Sequence, residues 1–179
     1  VTGREFGFDS APVAELVRWA DIIDGAQYPD ARSAVEMKEA APRLTMIIEA
    51  GQDHTLMPRL IPLLAELPLG EVLKLPFVAP LLTPLLTRHE QSIEILGQRA
   101  ECRDGTVYFD VTDQDLEGYN KFVPYYLNPE CTYSVGLSKS SFRTKVSVGS
   151  NPWARAKNMV NLAAIGVFAI FIMFGILAF

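Results

Sequence analysis

Hydrophobic positions recur with two different periods along this chain, and the change of period divides it. Val13, Leu16, Val17 and Ala20 form one helical stripe. They predict a helix that starts near Ser10, carries Pro12 in its first turn where a missing N–H is harmless, and stops at Gly25. A second helical region is expected over Ala31 to Ala50, interrupted or kinked at Pro42 and ended by Gly51. Residues 54–100 hold half of the twelve prolines, namely Pro58, Pro62, Pro68, Pro76, Pro80 and Pro84. Leucine and valine fill the gaps between them, which fits short helices better than a disordered tract. The last of these helices ends around Arg99 and carries Arg88, Glu90, Gln91 and Glu94 on an exposed face.

After the turn signal Asp104-Gly105 the period falls to two. Residues 106–112 read as a strand. Residues 132–138 place Tyr133, Val135 and Leu137 on one face. Residues 142–149 place Thr144, Val146 and Val148 on one face and Arg143, Lys145 and Ser147 on the other. Lys139-Ser140-Ser141 would join the last two strands as a hairpin. The expected fold class is therefore α+β: a helical N-terminal region (1–104), then a small, mostly antiparallel sheet (105–153) of the same domain.

A third pattern closes the chain. Residues 158–179 contain no charged side chain, and as a helix they would extend about 33 Å, enough for a hydrocarbon core of about 30 Å. The sequence thus predicts one C-terminal transmembrane helix. Arg155 and Lys157 just before it would put the N-terminal domain in the cytoplasm, giving a single-pass membrane protein in contact with the bilayer. Within the run Ala163, Gly166 and Ala169 recur every third residue, a small-residue face on which a helix of another membrane subunit would dock. Trp153, in Asn151-Pro152-Trp153, suits the membrane interface.

The net charge of −5 lies wholly outside the apolar run and argues against a nucleic-acid surface. Cys102 and Cys131 suggest no disulfide framework, have no nearby His or CxxC partner, and default to packing.

The run YNKFVPYYLNPECTYSVGLSKSSFRTKVSVGSNPW, residues 119–153, resembles the C-terminal domain of DHH-type phosphoesterases, specifically the exopolyphosphatase-like, RecJ-like members. Residues 19–44 resemble the connecting region of those proteins and 56–69 its helical continuation, so the resemblance covers about residues 8–153. It implies an N-terminal domain whose Asp and His residues, including an Asp-His-His triplet, hold two divalent metals. It also implies a C-terminal domain that contacts substrate and ends in a glycine-rich segment with a His. This sequence has no Asp-His-His, its histidines are His54 and His89 only, and no glycine-rich segment ending in His follows Trp153. The metal domain would lie upstream of Val1.

Candidate sites carry bland alternatives. Asp53-His54 reads as a solvated turn and His89 as part of a solvated helix face. Asp21 and Asp24 share a helix face and would cap or stay solvated. The polar cluster of Ser138, Ser140, Arg143 and Lys145 is the candidate phosphate contact, since in the resembled family this hairpin lies near bound phosphate. Catalytic, metal and cofactor residues are expected to be none. The resulting expectation is a non-catalytic accessory subunit of a larger membrane complex, respiratory or photosynthetic, built on a degenerate phosphoesterase domain. Its alternatives are a half-enzyme completed by a separate metal-binding chain, or a membrane-tethered phosphate- or nucleotide-binding regulatory module.

Overall fold

A computed structural model describes residues 10–51, 54–114, 116, 118–139, 144–154, 160 and 162. The chain forms two compact units that meet at Gln91 and Ser92, inside one long helix.

The first unit is helical. Helix α1 (Ala11–Asp24) begins at Ser10, whose hydroxyl accepts the Val13 N–H, and ends where the Gly25 N–H reaches the Asp21 and Ile23 carbonyls. Helix α2 (Ala31–Val35) opens with a reciprocal box in which Asp30 and Ser33 each satisfy the other's backbone N–H. These bonds hold the Asp30 carboxyl below its ordinary pKa. The break expected at Pro42 falls earlier. Met37 takes a left-handed φ of 50°, which ends the helical path, and the Arg43 side chain donates to its carbonyl. Helix α3 (Ala40–Ala50) then starts afresh, with Pro42 in its first turn.

Helix α4 (Leu56–Glu66) buries Leu56, Leu60 and Leu64, one residue per turn. The short α5 (Leu69–Val72) follows, its first N–H received by the Glu15 carboxylate at 3.1 Å. These helices bury Leu44, Ile47, Leu60, Leu69, Val72 and Val78 in one core. Helix α6 (Ala79–Arg99) runs from this unit into the next.

The second unit is a four-stranded mixed sheet in the order β1-β2-β3-β4. Strand β1 (Glu101–Arg103) pairs antiparallel with β2 (Thr106–Asp110). Strand β3 (Tyr133–Lys139) lies parallel to β2, and β4 (Thr144–Ser150) antiparallel to β3. A parallel pair needs a crossover. Here the chain from Val111 to Thr132 supplies it and contains helix α7 (Val123–Leu127), which buries Val123, Pro124 and Tyr125.

Three expectations for the C-terminus are corrected. Among the described residues no helix is long and apolar enough to cross a membrane. The fold class is therefore α+β with a helical region and a small mixed sheet, and the spanning helix expected to complete it is not found among the described residues. Residues 158–179, Val160 and Leu162 apart, lie outside the described residues, and so does the docking face placed on Ala163, Gly166 and Ala169. The single-pass placement and the bilayer and membrane-subunit partners rested on that helix and are withdrawn with it. Trp153 also has a local reason for its position. Its ring tilts against Phe122 at 5.3 Å, and its backbone N–H donates to the Asn151 side-chain oxygen. The buried Asn151 donates to the Cys131 carbonyl at 2.9 Å, so Asn151-Pro152-Trp153 is a turn that closes the sheet unit.

Candidate anion-binding cleft

Side-chain size on one face of the sheet creates the site. The register pairs Ser134 with Gly149, Gly136 with Ser147, and Ser138 with Lys145. Because side chains alternate along a strand, these six residues share one face. It is the face turned to the crossover: Ser134 and Ser138 are buried, whereas Val146 and Val148 on the opposite face are exposed. Small side chains on two adjacent strands leave room that the crossover only partly fills.

Three aromatic rings occupy most of that room. Phe109 lies over Gly136 so closely that a Cβ there would meet its ring at 2.2 Å. Tyr125 places its hydroxyl over Gly149 and shares a 2.8 Å hydrogen bond with the Ser134 hydroxyl. Tyr119 stands edge-on to Phe109, with ring centroids 5.4 Å apart, and its phenol hydrogen-bonds Ser147. Burial raises the pKa of both phenols, so Tyr119 and Tyr125 stay protonated at neutral pH and keep an O–H to donate.

What remains is a cleft of about 170 Å³ whose polar walls are Tyr119, Lys121, Ser134, Ser138, Lys145 and Ser147. Two cations and no carboxylate stand among its described lining residues, in a chain of net charge −5. Lys121 is held from the side by Phe122, its ammonium 5.1 Å from the ring centroid. Cations and hydroxyls that converge in this way suit an anion with several acceptor oxygens. Pockets for whole small ligands usually exceed about 300 Å³, so this volume fits a phosphate group and not an entire nucleotide.

The structure brings together half of the residues singled out in the sequence. Ser138 and Lys145 face each other across β3 and β4 and both line the cleft. Ser140 and Arg143 lie outside the described residues. The sequence pattern alone did not point to Tyr119, Lys121, Ser134 or Ser147. A usable signal was present: the in-register stripes Ser134-Gly136-Ser138 and Lys145-Ser147-Gly149 have no large side chain except Lys145.

The histidines form no metal site among the described residues. His89 Nε2 lies 2.7 Å from the Val35 carbonyl, and His54 is exposed beside Asp53, which is outside the described residues. Asp21 and Asp24 are exposed on α1. A different donor set does assemble. Cys102, Glu130 and Cys131 bring their ligand atoms within 4.8 Å of one another. The two cysteines, expected to be separate packing residues, are joined as a disulfide. Two disulfide-bonded sulfurs and one carboxylate do not match the Asp and His ligands of the two-metal site that the resemblance implies, so this cluster is not that site.

No family model matches the sequence, and no curated protein matches it. Among solved structures the chain is similar to the pGpG-specific phosphodiesterase PggH from Vibrio cholerae, with a TM-score of 0.73 and 20% sequence identity. The likeness covers 86% of this chain and 55% of that one, so the chain spans little more than half the length of its structural relative. What this shows is a shared fold over most of the chain.

The functional expectation is corrected accordingly. A degenerate, non-catalytic accessory subunit of a respiratory or photosynthetic membrane complex was inferred from missing metal motifs and a spanning helix. Against it stand the fold shared with a phosphodiesterase over most of the chain and the lack of any membrane-crossing helix among the described residues.

Proposed function

We propose that this chain is the substrate-binding part of a phosphoesterase and holds a phosphate group of a short phosphorylated nucleotide in the cleft between the crossover and strands β3 and β4. The observation that carries this reading is the cleft itself: Lys121 and Lys145 converge with Tyr119, Ser138 and Ser147 on a space of phosphate size. The fold likeness to a pGpG-specific phosphodiesterase supports it and suggests a dinucleotide as the first ligand to try. With about 170 Å³ available, the cleft takes the phosphate, and the bases lie beyond it.

Calorimetric titration with pGpG, and with inorganic pyrophosphate as the minimal ligand, tests the reading. A hydrogen bond to a charged group contributes about 1.5–3 kcal/mol, so Lys145→Ala is expected to weaken binding roughly tenfold to hundredfold. Lys139→Ala is the control. Lys139 pairs with Thr144, and the two-residue period puts it on the opposite face, so affinity should be unchanged. No heat at millimolar ligand, or equal losses from the two lysine variants, would remove the proposal.

A further inference from the structure

The cluster of Cys102, Glu130 and Cys131 plays no part in the cleft reading, and its chemistry differs from that of the cleft. We propose that these three residues form a redox-gated zinc site: a disulfide when oxidised, and two thiolates plus a carboxylate around one Zn²⁺ when reduced.

Placement makes both states accessible. Cys102 is the middle residue of edge strand β1, opposite Val107, and Cys131 lies two residues before β3. Their Cα atoms are 6.7 Å apart. That is the wide end of the range of about 4.4–6.8 Å that disulfides tolerate. A tetrahedral ion with Zn–S bonds of about 2.3 Å holds two sulfurs roughly 3.8 Å apart. From a wide-set backbone pair, the sulfurs reach that separation mainly by side-chain rotation.

The two cysteines differ in exposure. Cys131 is fully buried and its backbone is tied at both ends: its N–H donates to the Asn128 carbonyl, and its own carbonyl receives the Asn151 amide. The next residue is fixed too, since the Thr132 N–H donates to the Gly105 carbonyl at 2.7 Å. Cys102 and Glu130 are exposed. Three protein ligands leave a fourth position for water or an incoming group. A borderline-soft divalent ion suits two sulfurs and one oxygen, whereas Mg²⁺ and Ca²⁺ prefer oxygen alone.

Opening the site takes two electrons from a dithiol reductant. One reductant thiolate attacks the sulfur of Cys102, an exposed residue, the S–S bond breaks, and Cys131 leaves as a thiolate. The second reductant thiol then resolves the mixed disulfide, frees Cys102 and becomes part of the reductant's own disulfide. Zn²⁺ binding displaces the protons remaining on the two thiols. In either state β1 stays linked to the start of β3 across 29 residues, a stretch that includes Tyr119 and Lys121 of the cleft wall.

The test is an anaerobic titration of the full chain with Co²⁺ as a spectroscopic stand-in, before and after reduction by a dithiol that is then removed. One equivalent of Co²⁺ is expected to give a thiolate-to-cobalt charge-transfer band in the reduced protein and none in the oxidised protein, and Zn²⁺ should bleach it. Cys102→Ser, at an exposed position, should abolish the band. Glu130→Gln should weaken Zn²⁺ binding by about tenfold or more, since even outer ligand partners contribute that much. Alkylating the reduced wild-type thiols should also abolish the band, a check that needs no variant to fold. No band after reduction, a band retained in Cys102→Ser, equal binding by the oxidised protein, or an unchanged affinity in Glu130→Gln would overturn the proposal.

Discussion

Gly136→Val is expected to lower the stability of the sheet unit by about 3 kcal/mol, at the upper end of ordinary overpacking. The reason is contact and not backbone freedom. A Cβ at this position would stand 2.2 and 2.3 Å from two atoms of the Phe109 ring, far inside van der Waals contact. Phe109 is only 6% exposed and is itself packed edge-on against Tyr119, so the ring cannot swing aside without moving a wall of the cleft. The substitution should therefore weaken phosphate binding as well as folding. Urea unfolding followed by Trp153 fluorescence in a Trp19→Phe background checks the first effect. Trimming the ring with Phe109→Leu should recover part of the loss, a positive coupling between contacting residues. A change below about 1 kcal/mol, the low end of overpacking costs, or no coupling, would mean that the ring does not lie over Gly136.

Leu60→Ala should cost about 2–5 kcal/mol in the helical unit. Leu60 is fully buried on α4, between Leu56 and Leu64 of the same stripe, in the core that also holds Leu44, Ile47, Leu69 and Val72. Removing three side-chain carbons leaves a cavity that rigid neighbours fill only in part, which places the cost above the transfer energy alone. Ile61, the next residue, is 59% exposed, and its change to Ala should stay within about 0.5 kcal/mol. Trp19, partly buried against this core, reports the transition in a Trp153→Phe background. Equal effects at the two positions would contradict the assigned helix face.

Local signals made much of the helical unit legible. Ser10, Pro12 and Gly25 mark the ends of α1 because caps and first-turn prolines act within a few residues. Strands β2, β3 and β4 were visible as alternation, to within a few residues at each end. What failed needs information from further along the chain. The break before α3 comes from a left-handed Met37, a residue type that gives no warning of it, and not from Pro42. Strand β1 is three residues long, too short to show a period. The parallel pairing of β2 with β3 depends on where the crossover runs. The disulfide depends on the same route, because it joins residues 29 apart that only the folded sheet brings together.

The candidate site was half legible for a related reason. Lys145 and Ser138 stood out as polar residues in a hairpin, and the register brings them face to face. Tyr119 and Lys121 belong to a segment with no regular element of its own, and they become site residues only because the crossover lays them over the sheet. The bury-the-apolar-face rule also misleads here. Val146 and Val148 face outward at 60% and 41% exposure, while the serine and glycine stripe faces inward. A functional cleft is one place where the covered face of a sheet must stay small and polar.

The most direct test of the cleft is a titration of ¹⁵N-labelled protein with pGpG, followed residue by residue. Saturable shifts are expected at Tyr119, Lys121, Ser134, Ser138, Lys145 and Ser147, with Val35, Leu60 and Leu69 of the helical unit unmoved. Shifts centred anywhere else, or none at saturating ligand, would contradict it.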